Sequence, residues 1–350
     1  MHKFDYSFLG NSLLPAKLLN VTSSIAALKV MDTIRKNDFS AVFTELEKVA
    51  KVQSVKSSNA IEGIVTTDDR IKAIVNQNTA PLNHNEMEIA GYRDALDIVH
   101  SHYETIVFDE TTILQLHKTI YSYLNSEDLG QYKKENNVIL EYDANGMRSV
   151  RFYPTPAAET PTVMRQLILA YEDAIGNSNI NKLLLIPCVI LDFLCIHPFR
   201  DGNGRLSRLL SLFLLYKNGY DIGKYISFEE QINKNKIQYY EALKQSSKHW
   251  ERNQNNYIPF IENFLTILCN CYIELDKRFA VVNSTKINKQ ARVEATVLNS
   301  LVPISKAEIC AILPDISPTT IESVLGKMVA NEKIIKIGAS RNTKYYRKTL

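Results

Sequence analysis

The chain has one tryptophan, five cysteines, and no stretch biased enough in proline, glycine or glutamine to resist folding. The cysteines (Cys188, Cys195, Cys269, Cys271 and Cys310) are odd in number, and Cys269-x-Cys271 has neither zinc-knuckle spacing nor a companion pair. That excludes a disulfide scaffold and points to buried free thiols in a reducing compartment. The N-terminal MHKFDYSFLGN lacks the charged-then-apolar build of a secretion signal. The apolar run Leu183–Ile196 is broken by Pro187 and Asp192 and is short for a bilayer. Internal repeats are missing, and a net charge of +3 makes the whole chain no polycation. The expectation is a cytoplasmic protein without membrane contact.

What is present is a globular composition, 45% hydrophobic and 23% charged over 350 residues, enough for one large or several smaller cores. Charge is uneven. From Asn283 to Leu350 eleven Lys and Arg face five acids, a balance of +6 that leaves −3 for the rest.

Helical periodicity dominates and predicts a mainly α fold. Helices are expected over Ala41–Val55, Asp68–Val75 (opened by Thr67), Met87–Tyr103 and Asp109–Leu124. Two short strand patterns, Val138–Tyr142 and Arg148–Tyr153, flank Asn145-Gly146, a hairpin dipeptide. Helices resume at Val163–Ala174, Leu183–Ile196, Arg205–Asn218, Asn235–Ser246 and Tyr257–Phe279. Val281–Lys289 is polar and reads as a linker. Beyond it, Ala291–Ser300, Lys306–Leu313 and Pro318–Ala330 precede a hairpin, Ile334–Ile337 and Lys344–Arg347 around the tip Gly338–Thr343. That order is the order of a winged helix-turn-helix.

The most informative stretch is His197-Pro198-Phe199-Arg200-Asp201-Gly202-Asn203-Gly204-Arg205-Leu206-Ser207-Arg208. Pro198 and two glycines predict a loop that delivers the chain into a helix near Gly204. A helix start offers unpaired amides and partial positive charge, an anion site. Gly202 and Gly204 allow close approach of a phosphate. Arg205 and Arg208, three apart, share a face, and cations there oppose the helix dipole unless an anion is present. Asp201 offers a hard oxygen suited to Mg²⁺, and His197 is a candidate general base.

This motif resembles the Fic signature HPFx[DE]GN[GK]RxxR, with every position filled. The resemblance implies a Fic helical core with a β-hairpin flap and a protein adenylyltransferase activity. In it, His197 would deprotonate a Ser, Thr or Tyr hydroxyl of a target protein, which attacks the α-phosphorus of ATP as pyrophosphate leaves. Asp201 would hold Mg²⁺; Phe199, Gly202, Asn203 and Gly204 would belong to the ATP site; Arg205 and Arg208 would bind the distal phosphates. Doc-type relatives, which transfer phosphate, have Lys where this chain has Gly204.

Upstream, Ser57-Ser58-Asn59-Ala60-Ile61-Glu62-Gly63 resembles the family's inhibitory helix, [ST]xxxE[GN]. By that resemblance Ser58 and Glu62 restrain the enzyme, with Glu62 paired to Arg208; in one branch the equivalent glutamate also supports AMP removal. The segment Ile237–Leu243 resembles the helix whose tyrosines, here Tyr239 and Tyr240, border adenine. Several relatives carry Asn seven residues beyond the second tyrosine, where this chain has Ser247. The organisation expected is an N-terminal helical region over 1–110, a Fic core over 111–280 and a winged helix over 285–350. The winged helix is open to DNA, to protein or to a homodimer partner, and self-modification is open too. A competing reading is a DNA-binding regulator that uses the Fic core as a nucleotide sensor.

Overall fold

The computed structural model describes every residue except Met1, 125–127, 143–145, 284–288, 299, 301–302, 314, 339–342 and 349–350. In chain order the helices begin with α1 (Phe8–Asn11), α2 (Ala16–Asp38), α3 (Ser40–Ile61), α4 (Asp68–Gln77), α5 (His84–His102) and α6 (Glu110–Ile120). The hairpin β1 (Ile139–Tyr142) and β2 (Arg148–Phe152) follows. Then come α7 (Thr160–Gly176), α8 (Lys182–Ile196), α9 (Asn203–Lys217), α10 (Phe228–Lys234), α11 (Lys236–Ser247) and α12 (Ile258–Asn283). The C-terminal elements are α13 (Lys289–Leu298), β3 (Ile304–Ser305), α14 (Lys306–Ile312), α15 (Pro318–Ala330), β4 (Ile334–Ile337) and β5 (Lys344–Arg347). The fold is mainly helical, as the periodicity predicts.

Helix starts follow their capping residues. Thr67 accepts from the Arg70 amide ahead of two aspartates, and Asn83, Asp109 and Asn181 cap α5, α6 and α8 in the same way. Helix α2 had no clear sequence signal. Its apolar residues lie on more than one face, with Leu18 and Ile25 buried and Leu19, Val30 and Ile34 exposed, which blurs the period. Asn145 of the expected hairpin turn, Arg341 of the expected wing tip and residues 284–288 of the expected linker lie outside the described residues. The linker's first residues instead end α12, and Lys289 opens α13.

Two compact units divide the chain. The first comprises Met1–Ser23, Val52–Asp221 and Phe228–Leu268. Its centre is α8, buried at every position from Leu183 to Ile196, so it is apolar all round and shows no amphipathic stripe. The one charged group in that helix interior, Asp192, accepts hydrogen bonds from Tyr6 Oη (2.7 Å), Trp250 Nε1 (2.7 Å) and Tyr257 Oη (2.9 Å). The flap strands are antiparallel, pairing Leu140 with Val150 and Tyr142 with Arg148.

The second unit comprises Ser24–Lys51, Ile222–Ser227 and Cys269–Leu350. Its C-terminal part packs Val293, Val297, Ile309, Ile321, Leu325 and Ile334 beside a three-stranded antiparallel sheet of order β3-β5-β4. Each of the five acids after Asn283 holds a cation: Glu294 with Lys333, Glu308 with Lys344, Asp315 with Arg292, Glu322 with Lys306 and Glu332 with Lys348.

The cysteines are free, with all but Cys310 buried. Within α12, Ile258–Phe279 is long and apolar enough to cross a membrane, and half of that stretch is buried inside the protein.

Candidate active site

The site lies where α8 hands the chain to α9. His197 ends α8 in the left-handed region (φ 50°, ψ 61°), its amide still donating to Phe193 O at 2.9 Å. Gly202, at φ 80°, is the N-cap of α9 and needs no Cβ to adopt that turn. Between them the loop is closed by Asn203. Its Oδ1 accepts from the Phe199 amide (3.0 Å) and its Nδ2 donates to the Phe199 carbonyl (2.8 Å). The Phe199 ring is buried and stacks on His117 of α6 at 3.8 Å between centroids. Phe199 and Asn203 therefore shape the loop from within. His117 Nε2 also bonds the Asp201 carbonyl at 3.2 Å.

The two motif arginines point their charge into protein. Arg205 bonds Glu88 of α5 at 2.6 Å and Tyr121 Oη at 2.7 Å, while its Nε and Nη1 have no hydrogen-bond partner among the described residues. Arg208 donates from Nε to Ser58 Oγ (2.8 Å) and from Nη2 to Ser58 O (2.9 Å) and Glu62 Oε1 (2.8 Å). Asp201 is largely exposed, at 79%; its Oδ1 accepts from the Gly202 amide at 2.7 Å and its Oδ2 lies 3.9 Å from Arg205.

Glu62 is held there by the way α3 ends. Gly63 is left-handed (φ 81°), the Ile64 amide returns to Asn59 O (3.0 Å) and the Gly63 amide to Ala60 O (3.1 Å). This is a Schellman termination with Glu62 as its C-cap. Lys236 covers the Ile61 carbonyl at 2.7 Å, and two turns back Ser54 bonds Glu229 at 2.8 Å. A Cβ at Gly204 would collide with Glu62 Oε1. Only glycine at that place leaves the carboxylate room at the start of α9.

A cavity of about 200 Å³ opens beside these groups, lined by Glu62, His197, Gly204, Tyr240 and Ser247, with Arg151 and Phe152 from the flap. Burial, and next the charge of Lys133, hold the His197 imidazole down at about 4, so it is neutral at physiological pH. Tyr239 does not line the cavity; it is buried against Phe260 at 5.5 Å. Adjacent helical residues diverge, so one tyrosine faces the space and the other the core. Asp201 lines a different cavity, about 640 Å³, with His117 and Tyr121.

Sequence patterns did not single out Glu88, His117, Tyr121, Lys133, Asn137 or Arg151. They come from α5, from α6 and its end, from the segment ahead of the flap and from the flap itself, and only packing brings them to the motif. The hub Asp192 left one trace, a carboxylate inside an apolar run.

Residues 107–215 match the Fic/DOC family. The protein adenylyltransferase Fic of Nematostella vectensis is 28% identical over 226 residues, which are 61% of this chain and 46% of that protein. The chain thus spans about half the length of that curated relative. A Fic family protein from Desulfovibrio desulfuricans superposes with a TM-score of 0.63 at 18% identity, covering 96% of this chain and 97% of its own. A Fic domain containing signaling protein from Bacteroides thetaiotaomicron gives 0.60 at 20% identity, covering 75% of this chain and 97% of its own. At these identities the two structures speak for the fold alone. With the complete HPFRDGNGRLSR loop between α8 and α9, the chain carries a Fic/DOC family domain.

Proposed function

We propose that the protein transfers AMP from ATP to a Ser, Thr or Tyr hydroxyl of a protein, and that Glu62 restrains it. The observation that carries this reading is the Glu62–Arg208 pair, 2.8 Å long, at the start of α9, beside a cavity that Glu62 lines together with the neutral His197 at the end of α8. The curated relative named a protein adenylyltransferase supports the same chemistry.

The neutral imidazole takes the hydroxyl proton as the oxygen attacks the α-phosphorus; the bond to pyrophosphate breaks as the new P–O bond forms. Gly202, Gly204 and the first amides of α9 receive phosphate oxygens, and Arg208 reaches the distal phosphates once Glu62 releases it. Arg205 keeps Nη2 on Glu88 and Tyr121, which leaves Nε and Nη1 as donors for an anion. Tyr240 and Ser247 line the cavity for the nucleoside. The flap can hold an extended target segment through main-chain bonds, a mode that reads little sequence.

No group of three or more His, Cys, Asp or Glu that could hold a metal occurs among the described residues. Mg²⁺ suits such a place, because it takes one or two carboxylates and draws the rest of its oxygens from phosphates and water. Asp201 would be its carboxylate, and the ion would supply charge neutralisation at the phosphates. Gly204 stands where the phosphate-transferring relatives have Lys, which favours AMP transfer, and its lack of a Cβ leaves room for Glu62.

The test uses ATP labelled on the α-phosphate, with Mg²⁺, and compares wild type, Glu62→Gly, and Glu62→Gly with His197→Ala. A bond to a charged group is worth about 1.5–3 kcal/mol, so its removal raises labelling roughly ten- to a hundredfold. The His197→Ala partner abolishes it. Equal labelling in wild type and Glu62→Gly would sink the restraint; no label in any form would sink AMP transfer.

A further inference from the structure

Four consecutive main-chain carbonyls, from the last turn of α8 into the loop, are held by one short segment ahead of the flap. The Lys133 amide donates to Pro198 O at 2.9 Å. The Lys133 ammonium donates to Ile196 O (3.2 Å), His197 O (2.9 Å) and Asn137 Oδ1 (2.8 Å). Asn137 Nδ2 then donates to Phe199 O at 3.2 Å. Lys133 is buried, 6% exposed, and none of the ion pairs among the described residues includes it.

The chemistry of a helix end explains the arrangement. The last carbonyls of α8 lack intrahelical partners and carry its partial negative charge. An ammonium has three donors and no acceptor, and here three acceptors meet it. Burying a cation without a carboxylate is costly, so the segment has a use for the charge at that spot. Burial lowers Lys133 to about 8, still charged for the most part at neutral pH. Two residues after Asn137, β1 of the flap begins.

We propose that Lys133, fixed by Asn137, is a positioning residue that sets the left-handed turn at His197 and ties the catalytic imidazole to the flap. This rests on the transferase reading for its consequence but not for its geometry. A lysine that only stabilised the fold would lower the amount of folded protein and leave turnover per folded molecule unchanged. A positioning lysine acts on the chemical step.

The experiment places Lys133→Met, Lys133→Arg and Asn137→Ala in the full Glu62→Gly chain. It measures kcat and KM for ATP, and amide hydrogen exchange without nucleotide. We expect Lys133→Met to lower kcat roughly tenfold or more with KM for ATP changed less than about twofold. Lys133→Arg should recover much of kcat, and Asn137→Ala should fall between. Exchange should quicken at 139–142 and 197–203 while α7 and α12 stay protected. An unchanged kcat in Lys133→Met, or exchange that rises through all helices alike, overturns the proposal. If Glu62→Gly transfers nothing, the transferase reading fails, and the exchange pattern of the same variants decides on the positioning role. Should Lys133→Met not fold, Asn137→Ala carries both measurements.

Discussion

Glu62 and Arg208 each stand at the end of a helix whose dipole opposes them, and they neutralise one another across 2.8 Å. A carboxylate at the C-cap of α3 meets partial negative charge, and a guanidinium in the first turns of α9 meets partial positive charge. Each placement alone costs about 0.3–1 kcal/mol. Arg208 is buried while Glu62 is one-third exposed (33%), so the acid is the partner that can leave. A phosphate arriving at the same helix start satisfies the arginine and the amides together.

Gly204 tests this relationship without touching either charge. A methyl group there overlaps Glu62 Oε1, so Gly204→Ala should push the carboxylate away and weaken the pair by about 1 kcal/mol. Label uptake from α-labelled ATP should then rise roughly fivefold in the otherwise wild-type chain. In the Glu62→Gly background the same substitution should give no rise, since the group it displaces is gone, and any fall there measures the methyl group against the incoming phosphate. The four proteins form a double-mutant cycle, and an equal effect in both backgrounds would mean the two positions are not coupled.

Asp192 gives a pH dependence of stability with a defined sign. Burial raises its carboxyl from the ordinary 3.8 to about 7, against the lowering pull of the bonds from Trp250, Tyr6 and Tyr257. Between those values the folded state binds the extra proton, so this group's contribution is complete below about 3.8 and is lost as pH rises through 7. Asp192→Asn, which cannot ionise, escapes that loss. Thermal unfolding of both proteins at pH 5 and pH 8 should show the variant gaining ground on wild type at the higher pH, whatever the lost hydrogen bonds cost it at both. A constant gap between the two would show that the carboxyl does not titrate in this window.

The loop was legible because its chemistry is local. Twelve residues in a fixed order specify a left-handed turn at His197, a glycine N-cap and two arginines on one helix face. The Glu62–Arg208 pairing was legible through the resemblance, and α3 (Ser40–Ile61) joins the expected helix Ala41–Val55 to that motif without a break. Asn203 and Phe199, expected at the nucleotide, shape the loop, because an Asn side chain mimics a peptide and the ring finds His117 beneath it. Glu88, Tyr121 and Lys133 come from α5, the end of α6 and the segment before the flap. No period or spacing links such residues to a motif more than sixty positions away.

The stretch beyond Asn283 invites a reading by net charge that its ion pairs weaken. The stretch from Asn283 carries eleven Lys and Arg, and five of them are matched one to one with its five acids. Lys306 pairs with Glu322 of α15, the second helix of the expected helix-turn-helix, so that helix offers a groove no unopposed charge at its start. Duplex binding draws most of its affinity from cations that release counterions, and a cation already paired contributes less. The full chain should therefore shift no duplex DNA at about 150 mM salt, where surface charges are screened beyond roughly 8 Å. Removing residues 285–350 should leave the gel pattern unchanged. A salt-sensitive shift that depends on this region would restore the nucleic-acid reading, and Lys336→Ala with Arg347→Ala would then show whether the strand cations carry it.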